Sequence, residues 1–176
     1  MRLFIAVDLP PELRPRVAGV CRGVSGARWV RPEQLHITLR FLGETPEERV
    51  AELRIKLRQV AVPGFSLSLT GPGVFPPPGG RKPARVLWLG LRPPSPLQAL
   101  KQAIDTALGP DPETSQRGFS PHLTLARLNA TKGESRPGRD LEDFLAEHAN
   151  FAAGPFPVAS FHLYRSTMRP RPAPAY

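Results

Sequence analysis

One pattern occurs twice in this chain and restricts its fold more than any other feature. Leu35-His36-Ile37-Thr38-Leu39 in the first half returns as His122-Leu123-Thr124-Leu125 in the second. In both copies polar and apolar residues alternate, which is the period of a half-buried strand, where residues two apart share a face. Each copy therefore sets an imidazole beside a hydroxyl on one face, with Ile37 and Leu39, or Leu123 and Leu125, turned into a core behind it. The fold must supply two such strands and keep one face of each accessible.

The rest of the chain supports a mixed architecture. Leu3 to Val7 is a compact apolar run that reads as a buried strand. Pro10-Pro11-Glu12 opens a helix carrying Leu13, Val17, Val20 and Cys21. A short strand is expected around Arg28-Trp29-Val30, and another from Leu35 to Leu42. Thr45-Pro46-Glu47-Glu48 reads as a helix start with Thr45 as N-cap, followed by the stripe Val50, Leu53, Leu57 and Val60. Phe65 to Leu69 alternates as a strand, and Gly71-Pro72-Gly73-Val74 reads as a turn that lacks the lysine and following helix of a phosphate loop. Arg85 to Leu91 is a further strand, and Ser95 caps a helix with Leu97, Leu100, Ile104 and Leu108, closed by Gly109. His122–Leu128 is strand-like, Leu141–Glu147 is helical, and Phe161–Arg165 makes a late strand. Adjacent strand pairs between helices give an α+β fold with mainly antiparallel sheets, not a doubly wound parallel one. A single domain over residues 1–176 is expected, with a proline-rich end from about residue 169.

Composition narrows the partner. Net charge is +9, almost all of the positive charge being arginine. Such a surface favours an anionic partner, of which nucleic acid is the commonest, although arginine-rich composition alone would also produce it. Cys21 is the one cysteine, which excludes an internal disulfide and a cysteine-based zinc cluster. The apolar run at the start is too short for a signal peptide or a membrane span. A cytoplasmic protein with no membrane association is expected; a monomer is the default, since no sequence feature bears on oligomeric state.

The duplicated motif carries the chemistry. One His-x-Thr is weak evidence, because a strand histidine is more often a core or surface residue. Two of four histidines in the same flanked pattern are a different matter. Displacement at phosphorus needs a base on the attacking oxygen and an acid on the leaving oxygen, and two imidazoles can divide those roles without a cofactor or metal. The hydroxyls of Thr38 and Thr124 can donate to the phosphoryl oxygens where charge gathers. His148 and His162 lack the pattern and receive no catalytic role. Arg40 shares the face of His36 and Thr38 by alternation and is a candidate substrate contact. Strict alternation puts Arg127 on the face opposite His122, so its participation requires a bulge or strand end after Leu125. Phe41 is a core residue by alternation, whereas Phe119, in the loop before the second motif, is a candidate stacking residue for a nucleoside.

With these residues in place the chain resembles the bacterial and archaeal RNA 2′,3′-cyclic phosphodiesterases, also called 2′-5′ RNA ligases, of the two-histidine phosphoesterase superfamily. The segments that carry the resemblance are Arg2–Leu9, Leu35–Gly43, Gly73–Phe75, Arg85–Gly90, Phe119–Arg127 and Leu163–Ser166. It implies a bilobal fold, with two antiparallel sheets related by a pseudo-two-fold, helices outside and the site in the central cleft. It implies hydrolysis of a terminal 2′,3′-cyclic phosphate to a 2′-phosphate, with His36 as proton donor, His122 as proton acceptor and Arg127 on the phosphate. The residue pattern by itself leaves open which histidine is acid and which base. The implied partner is RNA with a cyclic phosphate end, tRNA fragments and small cyclic nucleotides included.

Three other readings are open. The same histidines could run the reverse reaction as an ATP-independent 2′-5′ RNA ligase, and no Lys-x-Asp-Gly or P-loop suggests a nucleotide-dependent one. A non-catalytic RNA-binding module would use the histidines only as surface groups. A metalloenzyme would need ligand spacing of the His-Glu-x-x-His kind, which the chain lacks.

Overall fold

The computed structural model describes residues 1–78, 82–111, 118–129 and 138–166. The expected proline-rich end lies outside them. Eight strands and four α-helices are present in this set: β1 (Arg2–Asp8), α1 (Arg14–Val20), β2 (Ala27–Trp29), β3 (His36–Glu44), α2 (Arg49–Arg58), β4 (Phe65–Phe75), β5 (Val86–Arg92), α3 (Ser95–Leu108), β6 (Leu123–Leu128), α4 (Arg139–Glu147), β7 (Ala153–Val158) and β8 (His162–Ser166). Short 3-10 turns at Pro11–Leu13 and Pro32–Gln34 lead into α1 and β3.

All eight strands belong to one antiparallel sheet, ordered β7-β4-β5-β6-β3-β1-β8, with β2 paired to β6. The α+β class stands, but the expected two sheets are joined. Ile37 and Leu123 form the one ladder pair between β3 and β6, and that pair links β8-β1-β3 to β6-β5-β4-β7. One face of the sheet is apolar. Ile5, Ile37, Leu39, Leu69, Leu87, Leu89, Leu123 and Leu125 are buried together there with Leu97, Leu100 and Ile104 of α3. At about 25 cal/mol per Å² of apolar surface, fully burying each such side chain is worth roughly 1.5–3 kcal/mol. The opposite face carries the polar members of the duplicated motif.

Three local expectations change. Thr45 does not cap a helix: its N–H bonds the Met1 carbonyl, which extends the strand pairing, and its hydroxyl donates to Gly43 O. Helix α2 therefore starts three residues later than expected, at Arg49. Gly71-Pro72-Gly73-Val74 is not a turn but the second half of the long strand β4, with a register shift between Thr70 and Pro72. The register shift accommodates proline's missing N–H, and Gly73 leaves room for a neighbour, since a Cβ there would lie 2.2 Å from the Trp88 ring. Strand β7 had no counterpart in the sequence reading. It holds Pro155 and Pro157 in six residues, tolerable because it pairs with β4 alone and forms a sheet edge.

Candidate active site

The Ile37–Leu123 pair determines what surrounds the motif. Continuing the antiparallel register one residue each way sets His36 across from Thr124 and Thr38 across from His122. All four are half-buried, while Ile37, Leu39, Leu123 and Leu125 are at most 2% exposed behind them. The two copies of the motif thus form one patch on the polar face of the sheet.

Each imidazole is tethered in the same way. His36 Nδ1 lies 2.6 Å from Gln34 O, and His122 Nδ1 lies 2.8 Å from Ser120 O. A carbonyl oxygen only accepts, so both Nδ1 atoms carry hydrogen, and Nε2 is the atom left for proton transfer in each ring. A neutral ring of this tautomer is a base through Nε2, and a protonated one is an acid through the same atom.

Their surroundings differ. His122 stands edge-on to Phe75 (centroids 5.0 Å apart) and 6.3 Å from Trp88, which pairs with Thr124 across β5 and β6. Burial pushes its pKa below the ordinary imidazole value, the hydrogen bond to Ser120 works against this, and the Arg127 charge lowers it further. His36 packs 5.0 Å from Phe4 and 6.4 Å from Tyr164, whose rings stack on one another. The Tyr164 hydroxyl donates to Asp8 Oδ1 at 2.5 Å, and burial plus that carboxylate raise its pKa to about 12, so it remains a neutral phenol. Among the described residues no group of three or more His, Cys, Asp or Glu side chains is placed to hold a metal ion.

The arginines exchange roles. Between Ile5 and Ala6 the β1–β3 register slips by one: Ala6 pairs with Thr38 and Ile5 with Arg40, so Leu39 is an extra residue. That bulge turns Arg40 to the helix side, contrary to simple alternation. There it is 8% exposed, and Nη1 donates to Asp105 Oδ1 (2.9 Å) and Gly109 O (2.6 Å), while Nη2 donates to Pro110 O (3.2 Å). Arg40 is thus a structural residue and leaves the list of substrate contacts. The same slip moves Phe41 out of the core to 52% exposure on the His36 face, where alternation had buried it. The β5–β6 register slips likewise, with Trp88 opposite Thr124 and Leu87 opposite Ala126, so Leu125 is extra. This is the bulge that Arg127 required, and Arg127 is exposed on the side of Thr124.

Phe119 sits elsewhere than expected. It packs partly buried against the core, with Lys101 Nζ of α3 lying 6.0 Å from its ring centroid, which does not bring it to the motif patch. His148 stacks edge-on to Phe144, and His162 Nε2 lies 3.7 Å from Asp8 Oδ2. Sequence reasoning missed Phe4, Phe41, Trp88 and Tyr164 as walls of the site. Phe41 could have been found by applying to β3 the bulge that Arg127 demanded of β6.

Comparison with known proteins identifies the family. The model of the 2′-5′ RNA ligase superfamily matches residues 9–168. The chain belongs to that superfamily. It is 34% identical over 174 residues to the RNA 2′,3′-cyclic phosphodiesterase of Archaeoglobus fulgidus, covering 97% of this chain and 94% of that one. It is 32% identical over 189 residues to the protein of that name from Thermus thermophilus, covering 100% of this chain and 86% of that one. Among solved structures, Escherichia coli LigT complexed with 3′-AMP superposes with a TM-score of 0.67 at 32% identity, covering 97% of this superfamily member and 91% of LigT.

Proposed function

We propose that this chain hydrolyses the terminal 2′,3′-cyclic phosphate of RNA to a 2′-phosphate, with His122 as base, His36 as acid and no metal or other cofactor. The observation that carries this reading is the matched tethering of the two imidazoles, each with Nδ1–H on a backbone carbonyl and Nε2 available, beside Thr38 and Thr124. The names of the superfamily relatives supply the substrate class. His122 holds its proton less tightly than an ordinary imidazole, so the neutral, base-competent form prevails at neutral pH.

In the step so assigned, His122 Nε2 takes a proton from water as its oxygen attacks phosphorus. The P–O3′ bond breaks, and His36 Nε2–H gives its proton to the departing O3′. The threonine hydroxyls and Arg127 meet the charge on the non-bridging oxygens. Phe41 and Phe4, beside His36, offer an aromatic surface to the nucleoside.

The deciding experiment is turnover of a short RNA ending in 2′,3′-cyclic phosphate. His36→Ala and His122→Ala should each lower kcat by about 10²–10⁴-fold. Wild-type rates in either variant would sink the assignment, and a joined strand in place of a 2′-phosphate would identify the reverse reaction.

A further inference from the structure

We propose that Arg28, the cross-strand neighbour of Arg127, binds a second, non-scissile phosphate: the one on the 5′ carbon of the terminal nucleotide, which links it to the rest of the RNA strand. The proposal rests on the substrate class assigned above and extends it from a cyclic phosphate to a cyclic phosphate on an oligonucleotide.

Strand β2 lies along β6 where β3 leaves off, and in its register Arg28 pairs directly with Arg127. Residues directly opposite one another in a ladder point to the same face, with Cβ atoms about 4.5–5.5 Å apart. That face is the catalytic one. Trp29, next to Arg28, turns to the helix side and packs 5.9 Å from Phe144 of α4, so Arg28 points the other way. Both arginines are exposed.

Two like charges at such a position cost stability unless something lies between them. Two other arginines on this sheet are matched by carboxylates, Arg2 by Glu44 and Arg40 by Asp105. Neither Arg28 nor Arg127 has an ion-pair partner among the described residues. A guanidinium without a carboxylate suits a phosphate, which can accept from it through two oxygens. The pair is also continuous with the chemistry, because the Arg127 charge acts on His122. Arg28 lies one strand further across, where the centre already has two hydroxyls and Arg127 for the scissile group. A neighbouring phosphate of the same strand fits that position, and a nucleoside cyclic phosphate has none to offer.

The test compares three substrates by kcat/KM: a nucleoside 2′,3′-cyclic phosphate, a dinucleotide ending in the cyclic phosphate, and the same dinucleotide with a neutral methylphosphonate linkage. The wild type should favour the charged dinucleotide over both others by about tenfold, the worth of one hydrogen-bonded charge contact. Arg28→Gln should remove that preference while changing the other two rates less than twofold, and Arg28→Lys should restore part of it. Equal losses on all three substrates would mean a structural role, and no wild-type preference for the charged linkage would mean no second phosphate site; either overturns the proposal. Binding of the dinucleotide 2′-phosphate, charged against neutral linkage, is to be measured by calorimetry alongside. A charge preference there that Arg28→Gln abolishes, without turnover of any substrate, would uphold the site and overturn the hydrolytic reading instead.

Discussion

The carbonyl oxygens of Gln34 and Ser120 leave Nε2 as the open nitrogen of each histidine, and burial around His122 weakens that ring's hold on its proton. For His122 the sign has a consequence for stability as well as rate. Its proton is held less tightly in the folded chain than in the unfolded one, so the unfolded state binds more protons as pH falls through the imidazole range near 6.5. The native state is penalised on that descent, fully so below the lowered folded value, and the penalty vanishes above the unfolded one. Chemical denaturation at pH 7.5 and pH 5 should show His122→Gln losing less stability on acidification than wild type; an equal loss would contradict the shift. In activity, the acid limb of kcat/KM should fall below the usual imidazole value, giving a bell whose flatness from pH 5 to 9 would count against paired imidazoles. In the proposed step the threonines act on the charge of the transition state, so replacing both Thr38 and Thr124 by Ala should reduce kcat more than it raises KM. A change confined to KM would leave them as binding groups.

At the level of strands and helices, the two bulges do most to set the site. Leu39 and Leu125 each add one residue and reverse the parity of the residues that follow directly, which sends Arg40 to the core and brings Phe41 and Arg127 to the working face. Arg40 then ties β3 to the C-terminal end of α3, where Lys101 also pairs with Asp105 and Asp111. Arg40→Ala would leave Asp105 to Lys101 alone and remove the donor from the Gly109 and Pro110 carbonyls, and should cost roughly 1–3 kcal/mol in a urea melt. A loss below about 0.5 kcal/mol would mean the cluster is only ornamental charge. These residues also mark where sequence reading succeeds and fails. Periodicity located β1, β3, β5, β6 and α3, and the repeated motif located the histidines, because both signals are local. A bulge is visible only in the partner strand, so Arg40 and Phe41 were assigned to the wrong faces. Thr45, Gly71–Val74 and β7 were misread or missed for a related reason: turn-forming and capping residues follow their local habits until a neighbouring strand supplies a competing hydrogen bond.

Across the whole molecule, positive charge and a phosphate-rich partner predict strong salt dependence. If two phosphates of a single strand are neutralised, 1/KM for the oligonucleotide should fall roughly sevenfold between about 50 and about 200 mM salt, against roughly threefold for a nucleoside cyclic phosphate. Steady-state kinetics on the two substrates would check this, and identical slopes would argue that binding ends at the scissile group. The sheet order has another consequence, one for folding. Strands β4 to β7, which shape the His122 side, follow one another along the chain and pair among themselves. The His36 side is closed by β8 against β1, with Tyr164 opposite Phe4. The His36 side is thus closed by a pairing across some 160 residues, the longest separation in the sheet, and carries the larger loop-closure cost in folding.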